Sequence, residues 1–236
     1  MEKPKILAFI PVYNEEKRIG QVLERFPAGL VDEIIVADDG STDNTPNILK
    51  KFNVKLIRNE KNLGIGVGMK KAIRYGLENN FDIFVIMAGN GKDDPREIPS
   101  LLQPIIEQDY DYVQGSRHLR SASYKKNTPF FRLVAVRGFT LMWRLATGFH
   151  ATDASNGFRA YKFKIFDNIN IFQDWLDTYE LEIYIYYLAI KKGFKIKEVA
   201  VSKNYPSKKE YTKIRPVIDW WRIMKPIVYL KLRIKK

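Results

Sequence analysis

Glu33-Ile34-Ile35-Val36-Ala37-Asp38-Asp39-Gly40-Ser41-Thr42-Asp43 is the stretch that decides the fold class. Residues 33–37 form a short apolar run of the kind that makes a buried strand. Acidic and turn-forming residues follow at once, and open α/β sheets bind ligands beyond the carboxyl ends of their strands. A carboxylate placed there can accept hydrogen bonds from a nucleobase N–H or a ribose hydroxyl. A purely structural reading stands beside this one. Ser41, Thr42 and Asp43 all suit the N-cap of a helix that carries Pro46 in its first turn. A second acidic turn, Pro11-Val12-Tyr13-Asn14-Glu15-Glu16, follows the strand-like run Ile6-Leu7-Ala8-Phe9-Ile10. Two such corners in tandem favour ligand binding.

Strand and helix alternate outward from these corners. Residues 15–26 read as a helix with Ile19, Val22, Leu23 and Phe26 on one face. Helices are also expected at 46–52, 68–79 and 97–108, and strands at 55–58, 83–87 and 112–114. This βαβα order implies a mostly parallel sheet with helices on both faces. Gly64-Ile65-Gly66-Val67-Gly68 resembles a phosphate-cradling loop, but the dinucleotide fingerprint would need it after the first strand. Close helix packing, or a close approach of backbone to ligand, explains it better. The second half is less regular, with helices expected at 130–146 and 180–191 and a strand at 195–202.

The chain has 236 residues, 45% hydrophobic and 13% aromatic, enough for one sizeable core. It contains no cysteine, so disulfides and thiolate chemistry are excluded. No signal pattern opens the sequence, and no apolar run approaches the about 18 residues of a transmembrane helix. A cytoplasmic protein, peripheral on the membrane face if membrane-bound at all, is expected. The formal net charge is +13, and nine of those charges fall in residues 202–236. Such a patch favours phosphates, whether of nucleotide or anionic lipid. No paired zinc ligands or RNP signature points to nucleic acid.

Several motifs recur in a recognisable order: Pro11, Tyr13, Asn14 and Glu15; residues 38–43; Asn62-Leu63-Gly64; Asn90-Gly91-Lys92-Asp93-Asp94-Pro95; Gly115-Ser116-Arg117; and Asp153-Ala154-Ser155-Asn156-Gly157-Phe158-Arg159. Together they resemble the family 2 glycosyltransferases over most of residues 5–205. Within that family the likeness is to the polyprenyl-phosphate, dolichol-phosphate mannose synthase-like branch. The resemblance implies a GT-A fold, Rossmann-like, in a domain over 1–205 followed by a basic aromatic segment over 206–236. It implies inverting transfer of a hexose from a nucleoside-diphosphate sugar to a polyprenyl (dolichyl or undecaprenyl) phosphate. Transfer to a glycan or glycolipid hydroxyl in surface polysaccharide assembly is the close rival. A non-catalytic nucleotide-sugar binding module is the rival of another class.

By the same resemblance, Pro11, Tyr13 and Glu15 line base and ribose, and Asp38 accepts from the base. Lys70, on the helix after the glycine stretch, is a further candidate for the same pocket. The third corner departs from the family, which places Asp-x-Asp there to hold Mg²⁺ or Mn²⁺ against the diphosphate. Here those positions are Ala88, Gly89 and Asn90, and the family's nearby Gln is Lys92. In one reading, Asn90 with Asp93 or Asp94 still holds a metal. In the other, the Lys92 ammonium pairs with the diphosphate directly. The otherwise intact framework favours the first. Arg117 resembles the arginine that reaches the active site. Asp153 and Arg159 either line the acceptor side or pair with each other. Lys213 resembles a lysine that reaches the diphosphate.

A hydroxyl acceptor needs a general base, whereas a phosphate monoester, with a second pKa of about 6, is already largely dianionic at pH 7. No base of the usual Glu-Asp or His-Asp type is evident: His118 and His150 have no recognisable catalytic setting, and Asp177, Glu180 and Glu182 suit either a base or helix capping. The phosphate acceptor is favoured on that ground. The tail combines Trp220, Trp221 and Tyr229 with many cations, which suits either an anionic membrane interface or packing on the enzyme body.

Overall fold

A computed structural model describes residues 3–119, 130–204 and 218–235 of the chain. Its strands are β1 (Ile6–Val12), β2 (Glu33–Asp38), β3 (Lys55–Arg58), β4 (Ile83–Ile86), β5 (Tyr112–Ser116), β6 (Arg159–Lys162) and β7 (Ile196–Ala200). They form one sheet in the order β3-β2-β1-β4-β6-β5-β7. Pairing is parallel throughout β3-β2-β1-β4 and between β5 and β7. β6 runs antiparallel to both β4 and β5.

β6 is the strand that sequence patterning does not disclose. Its first residue, Arg159, is the last of the 153–159 motif, and three of its four residues are buried, so no polar alternation marks it. Reversing this strand brings the start of β6 to the same edge as the ends of β4 and β5. The 153–158 segment is thereby set among the strand-end corners.

The period of two along each strand divides the core into two layers. Leu7, Phe9, Ile35, Phe84 and Tyr161 face one layer, closed by α3 (Ile65–Glu78), α5 (Phe130–Thr147) and α6 (Glu180–Lys191). Ile6, Ile10, Val36, Val85 and Ala160 face the other, closed by α1 (Ile19–Glu24), α2 (Thr45–Leu49) and α4 (Ile98–Gln108). α1 is shorter than its apolar periodicity suggests, because residues 13–18 are taken up by the corner after β1. α7 (Ile218–Lys231) runs through Pro226, packs on α6 and adds Ile227 to the first layer.

The glycines of α3 serve close packing, as their position in the sequence suggested. A Cβ on Gly68 would stand 2.9 Å from Ala37 Cβ, and one on Gly66 would collide with the Leu176 carbonyl. The helix therefore lies tight against β2 and the 176–178 segment.

An aromatic column crosses the first layer. Ring centroids are 5.7 Å apart for Phe9–Phe84, 5.6 Å for Phe84–Tyr161 and 5.4 Å for Tyr161–Tyr112. The column continues from Tyr112 to Tyr186 at 4.9 Å and from Tyr186 to Trp143 at 4.8 Å. Trp143 thus anchors α5 to α6 and the sheet. Trp143→Ala is expected to lower unfolding free energy by about 3–5 kcal/mol, read as a fall in the urea midpoint at constant slope. A loss below about 1 kcal/mol would show that the column is not cooperative with the core.

Candidate active site

The site is built from the carboxyl-end corners of the sheet. Val12 and Asp38 are register partners, so the first two corners stand side by side. They are laced together by short hydrogen bonds. Asn14 N–H donates to Ser41 Oγ at 2.9 Å, and Glu15 N–H donates to Thr45 Oγ1 at 2.8 Å. In return, Thr42 N–H donates to Asn14 Oδ1 at 2.9 Å and Asn44 N–H to Glu16 Oε2 at 2.9 Å. Asn14 adopts φ 52°, a value Asn tolerates better than most side chains. Ser41, Thr42 and Asp43 therefore do structural work, but between corners more than as a helix cap.

Asp38 is fully buried. Its Oδ1 accepts from Ser41 N–H at 2.9 Å. Its Oδ2 lies 3.3 Å from Arg58 Nε, its register partner on β3, yet takes no hydrogen bond from any described residue. That geometry makes a Coulombic contact and leaves an acceptor lone pair for a ligand donor. Asp39 turns the other way and gathers Asn59 Nδ2, Leu63 N–H and Gly64 N–H at 2.8–2.9 Å. The Asn62-Leu63-Gly64 motif is thus held to the second corner by a carboxylate. Glu15 is buried, with its Oε2 3.2 Å from Arg18. Pro11 and Tyr13 are half-buried along the same edge.

Lys70 lies on α3, where its ammonium meets Gln173 O at 2.6 Å and Asp177 Oδ1 at 2.7 Å. It braces the 173–177 segment. Of the three acids considered as bases, each faces a cation: Asp177 meets Lys70, Glu180 lies 3.7 Å from Lys225, and Glu182 lies 3.3 Å from Arg159.

The third corner packs directly on the first. Gly89 N–H donates to Pro11 O at 3.3 Å, and a Cβ on Gly89 would collide with Val12. Ala88 and Asn90 flank it, half-buried. Asn90 Oδ1 accepts from Lys92 N–H at 3.2 Å. Asp93 is 1% exposed: its Oδ2 accepts from Ala88 N–H at 3.2 Å, and its Oδ1 lies 2.5 Å from the Lys203 ammonium. Lys203 also reaches Asn156 Oδ1 at 3.1 Å. Asp94 caps the short 3₁₀ turn at 95–97 and is clamped by Arg96, whose hydrogen bond holds its carboxyl below the usual range.

This donor set does not fit a divalent ion, which takes six or more oxygens with carboxylates among them. Ala88 and Gly89 offer no side-chain oxygen. The expected ligands Asn90 and Asp93 are engaged, Asp93 with an ammonium that would repel a second cation. Among the described residues no group of three acids or histidines converges on a metal-sized site.

Beyond β5, Arg117 and Asp153 form a buried two-pronged pair, with Nε–Oδ2 at 2.5 Å and Nη2–Oδ1 at 2.7 Å. Ser155 Oγ accepts from the same guanidinium at 2.9 Å. Burial pushes the Asp153 carboxyl up, and the Arg117 charge more than offsets it, leaving that carboxyl below its ordinary value. Asp153 pairs with Arg117 and not with Arg159, the pairing weighed from the sequence. Arg159 opens β6 and points into the first core layer, 1% exposed, where it meets Tyr112 Oη at 2.9 Å and Asn156 O at 2.5 Å. Strand alternation puts it on the face shared with Tyr161. Burial pushes the Tyr112 hydroxyl up to about 12, against the pull of Arg159. Glu198 on β7 accepts from Thr152 and Asp153 N–H; burial raises its carboxyl despite those bonds. Lys213 lies outside the described residues. Lys203 and Glu198 were not singled out from the sequence, and Asn156 was quoted only as part of the 153–159 motif. Each works through a partner more than 40 positions away, which no local pattern signals.

A sequence profile described as Glycosyl transferase family 2 matches residues 8–169. An uncharacterised protein of Methanocaldococcus jannaschii is 30% identical over 234 residues, covering 98% of this chain and 94% of its own. A UDP-N-acetylglucosamine–dolichyl-phosphate N-acetylglucosaminyltransferase of Methanococcus voltae is 34% identical over 177 residues, covering 66% of this chain and 68% of its own. Among solved structures, glucosyl-3-phosphoglycerate synthase from Mycobacterium tuberculosis, in complex with Mg²⁺ and uridine diphosphate, aligns with a TM-score of 0.71 at 19% identity. That alignment covers 99% of this chain and 81% of the other, and it shows the GT-A fold.

Asp153→Asn leaves the buried Arg117 without its countercharge and is expected to cost about 3–5 kcal/mol in denaturant unfolding. The pair also sets a pH dependence. Because the folded carboxyl titrates below the unfolded one, its stabilisation is complete above about pH 4 and fades as pH falls through the folded value. The Asn variant should lose that component of acid sensitivity. An unchanged acid profile would remove the pair from the account.

Proposed function

The chain belongs to glycosyl transferase family 2, and we propose that it moves one hexose from a nucleoside-diphosphate sugar to a polyprenyl phosphate with inversion. The observation that carries this reading is Asp38: a fully buried carboxylate at a strand end, with one oxygen fixed by backbone and the other lacking a hydrogen bond among the described residues. That arrangement suits recognition of a base N–H. Pro11, Tyr13 and Glu15 would line base and ribose, and the Ala88-Gly89-Asn90 corner would face the diphosphate. Lys70 acts at one remove, by holding the 173–177 segment.

In this mechanism an acceptor phosphate oxygen attacks the anomeric carbon as the bond from that carbon to the donor's β-phosphate oxygen breaks. The leaving diphosphate keeps the electron pair and gains a negative charge. The transition state resembles an oxocarbenium ion, as in glycoside hydrolysis. Fixed positive charge at the leaving oxygens is the main lever. Arg117, held rigid by Asp153, would place its guanidinium charge on the acceptor side of the site. Bases paired with cations at Asp177, Glu180 and Glu182 support an acceptor that needs no deprotonation. The relative acting on a dolichyl phosphate supports the same class. No step passes through a divalent ion.

A peripheral position on the cytoplasmic membrane face would bring the lipid to the site. Val134, Leu141 and Leu145 share one face of α5 and are 53%, 58% and 77% exposed, beside exposed Arg137. Trp220 and Trp221 on α7 are 45% and 52% exposed. Among the described residues no helix is long and apolar enough to cross a membrane. Apolar and Trp-bearing faces on a chain of net charge +13 suit an anionic interface.

Incubation with UDP- or GDP-hexoses and a short polyprenyl phosphate should yield a glycosyl phosphate of inverted anomeric configuration by NMR. Retained configuration, or transfer only to glycan hydroxyls, would contradict the proposal. Asp38→Asn should weaken donor binding by about tenfold or more while the protein still folds. Trp220→Ala/Trp221→Ala and Leu141→Ser/Leu145→Ser should each reduce sedimentation with vesicles rich in anionic lipid. Full retention of vesicle binding in both would count against the membrane face.

A further inference from the structure

We propose that this glycosyltransferase works without a divalent cation, and that Lys203 together with Lys92 supplies the positive charge at the leaving diphosphate. The inference rests on the glycosyl-transfer reading and concerns how the same site handles charge.

Lys203 reaches the site because β7 pairs in parallel with β5, with Ser116 opposite Ala200. Val201 N–H continues that ladder to Ser116 O at 3.0 Å. Residues 202–204 therefore leave the sheet at its carboxyl edge, beside the third corner. Two backbone contacts fix them there. Ser202 N–H donates to both oxygens of Glu97 at 3.0 Å, and Asn204 N–H donates to Lys92 O at 2.8 Å. The segment bearing one lysine is thus bonded to the residue that is the other. The Lys203 side chain is only 11% exposed. Its ammonium has three donors, and Asp93 and Asn156 take two among the described residues.

Charge balance gives this arrangement its meaning. In an Asp-x-Asp site two carboxylates hold a dication, so their formal sum is zero. Here both carboxylates are absent, at Ala88 and Asn90, and removing the dication with them leaves that sum unchanged. Asp93 is balanced by Lys203, and Lys92 lies at the same corner, bonded through its carbonyl to the segment that carries Lys203. A dication entering this corner would have to take Asp93 from a buried ammonium and leave that ammonium unpaired, which is strongly unfavourable. An incoming diphosphate has the opposite effect, since it offers new acceptors to both lysines. During transfer the electron pair of the breaking bond moves onto the β-phosphate oxygen. The ammonium groups meet that charge with no proton transferred.

The test uses the full-length enzyme with UDP and GDP as probes. Calorimetric affinity for the preferred diphosphate should change by less than about threefold between excess EDTA and added Mn²⁺ or Mg²⁺, and turnover should survive EDTA equally. Lys92→Ala should lower the ratio of diphosphate to monophosphate affinity by about tenfold, a selectivity that a merely structural lysine would not set. Lys203→Met should do the same. Where that variant does not fold, Asp93→Asn/Lys203→Met removes both members of the pair and keeps the question answerable. Affinity or turnover that collapses in EDTA and returns with Mn²⁺ would overturn metal independence and leave glycosyl transfer standing. Failure to bind either diphosphate under both conditions would overturn the glycosyl-transfer reading, and this inference with it.

Discussion

Buried carboxylates must be compensated, and the carboxyl edge of this sheet is arranged around that demand. An ionised acid out of water is tolerated only with a cation or with N–H donors at its oxygens. Asp38 has Ser41 N–H and Arg58, Asp93 has Lys203 and Ala88 N–H, and Asp153 has Arg117. The cationic partners come from other strands or loops: Arg58 from β3, Lys203 from beyond β7 and Arg117 from beyond β5. Satisfying the charges therefore also fixes how the corners sit relative to one another. The lacing of residues 14–16 to 41–45 does the same for the first two corners with neutral hydrogen bonds.

This arrangement shapes the chemistry available. Acids that could have served as bases, or as metal ligands, already face cations. What faces a ligand is an acceptor at Asp38 and, at the third corner, the lysines proposed to meet the diphosphate. An edge with those properties suits a nucleotide that ends in phosphates and an acceptor already ionised. The apolar faces of α5 and α7 would give such an acceptor a surface to arrive from.

Much of the fold was legible in the sequence, because the parallel half announces itself. β1, β2 and β4 are short apolar runs ending in polar corners, and β3 matched its expected residues from Lys55 to Arg58. β6 was missed because it is short, mostly buried and begins on the last residue of a motif whose other residues claimed attention. Tyr13, Glu15 and Asp38 were named on the family resemblance, and the parallel register of β1 and β2 brings their corners to one edge. Lys203 could not, since it meets Asp93 across 110 positions of chain. Arg159 illustrates the opposite failing. A motif can place a residue in the right segment without saying on which face of a strand its side chain emerges.

On the proposed function, the corners after β1, β2 and β4 enclose a single nucleoside diphosphate. A crystal structure of the protein with its preferred nucleoside diphosphate tests this most directly. The account predicts the base against Pro11 with a donor to Asp38 Oδ2, and the phosphates beside the Ala88-Gly89-Asn90 corner within reach of Lys92. A nucleotide bound elsewhere, with Glu15 and Asp38 opening onto unconnected regions, would contradict it.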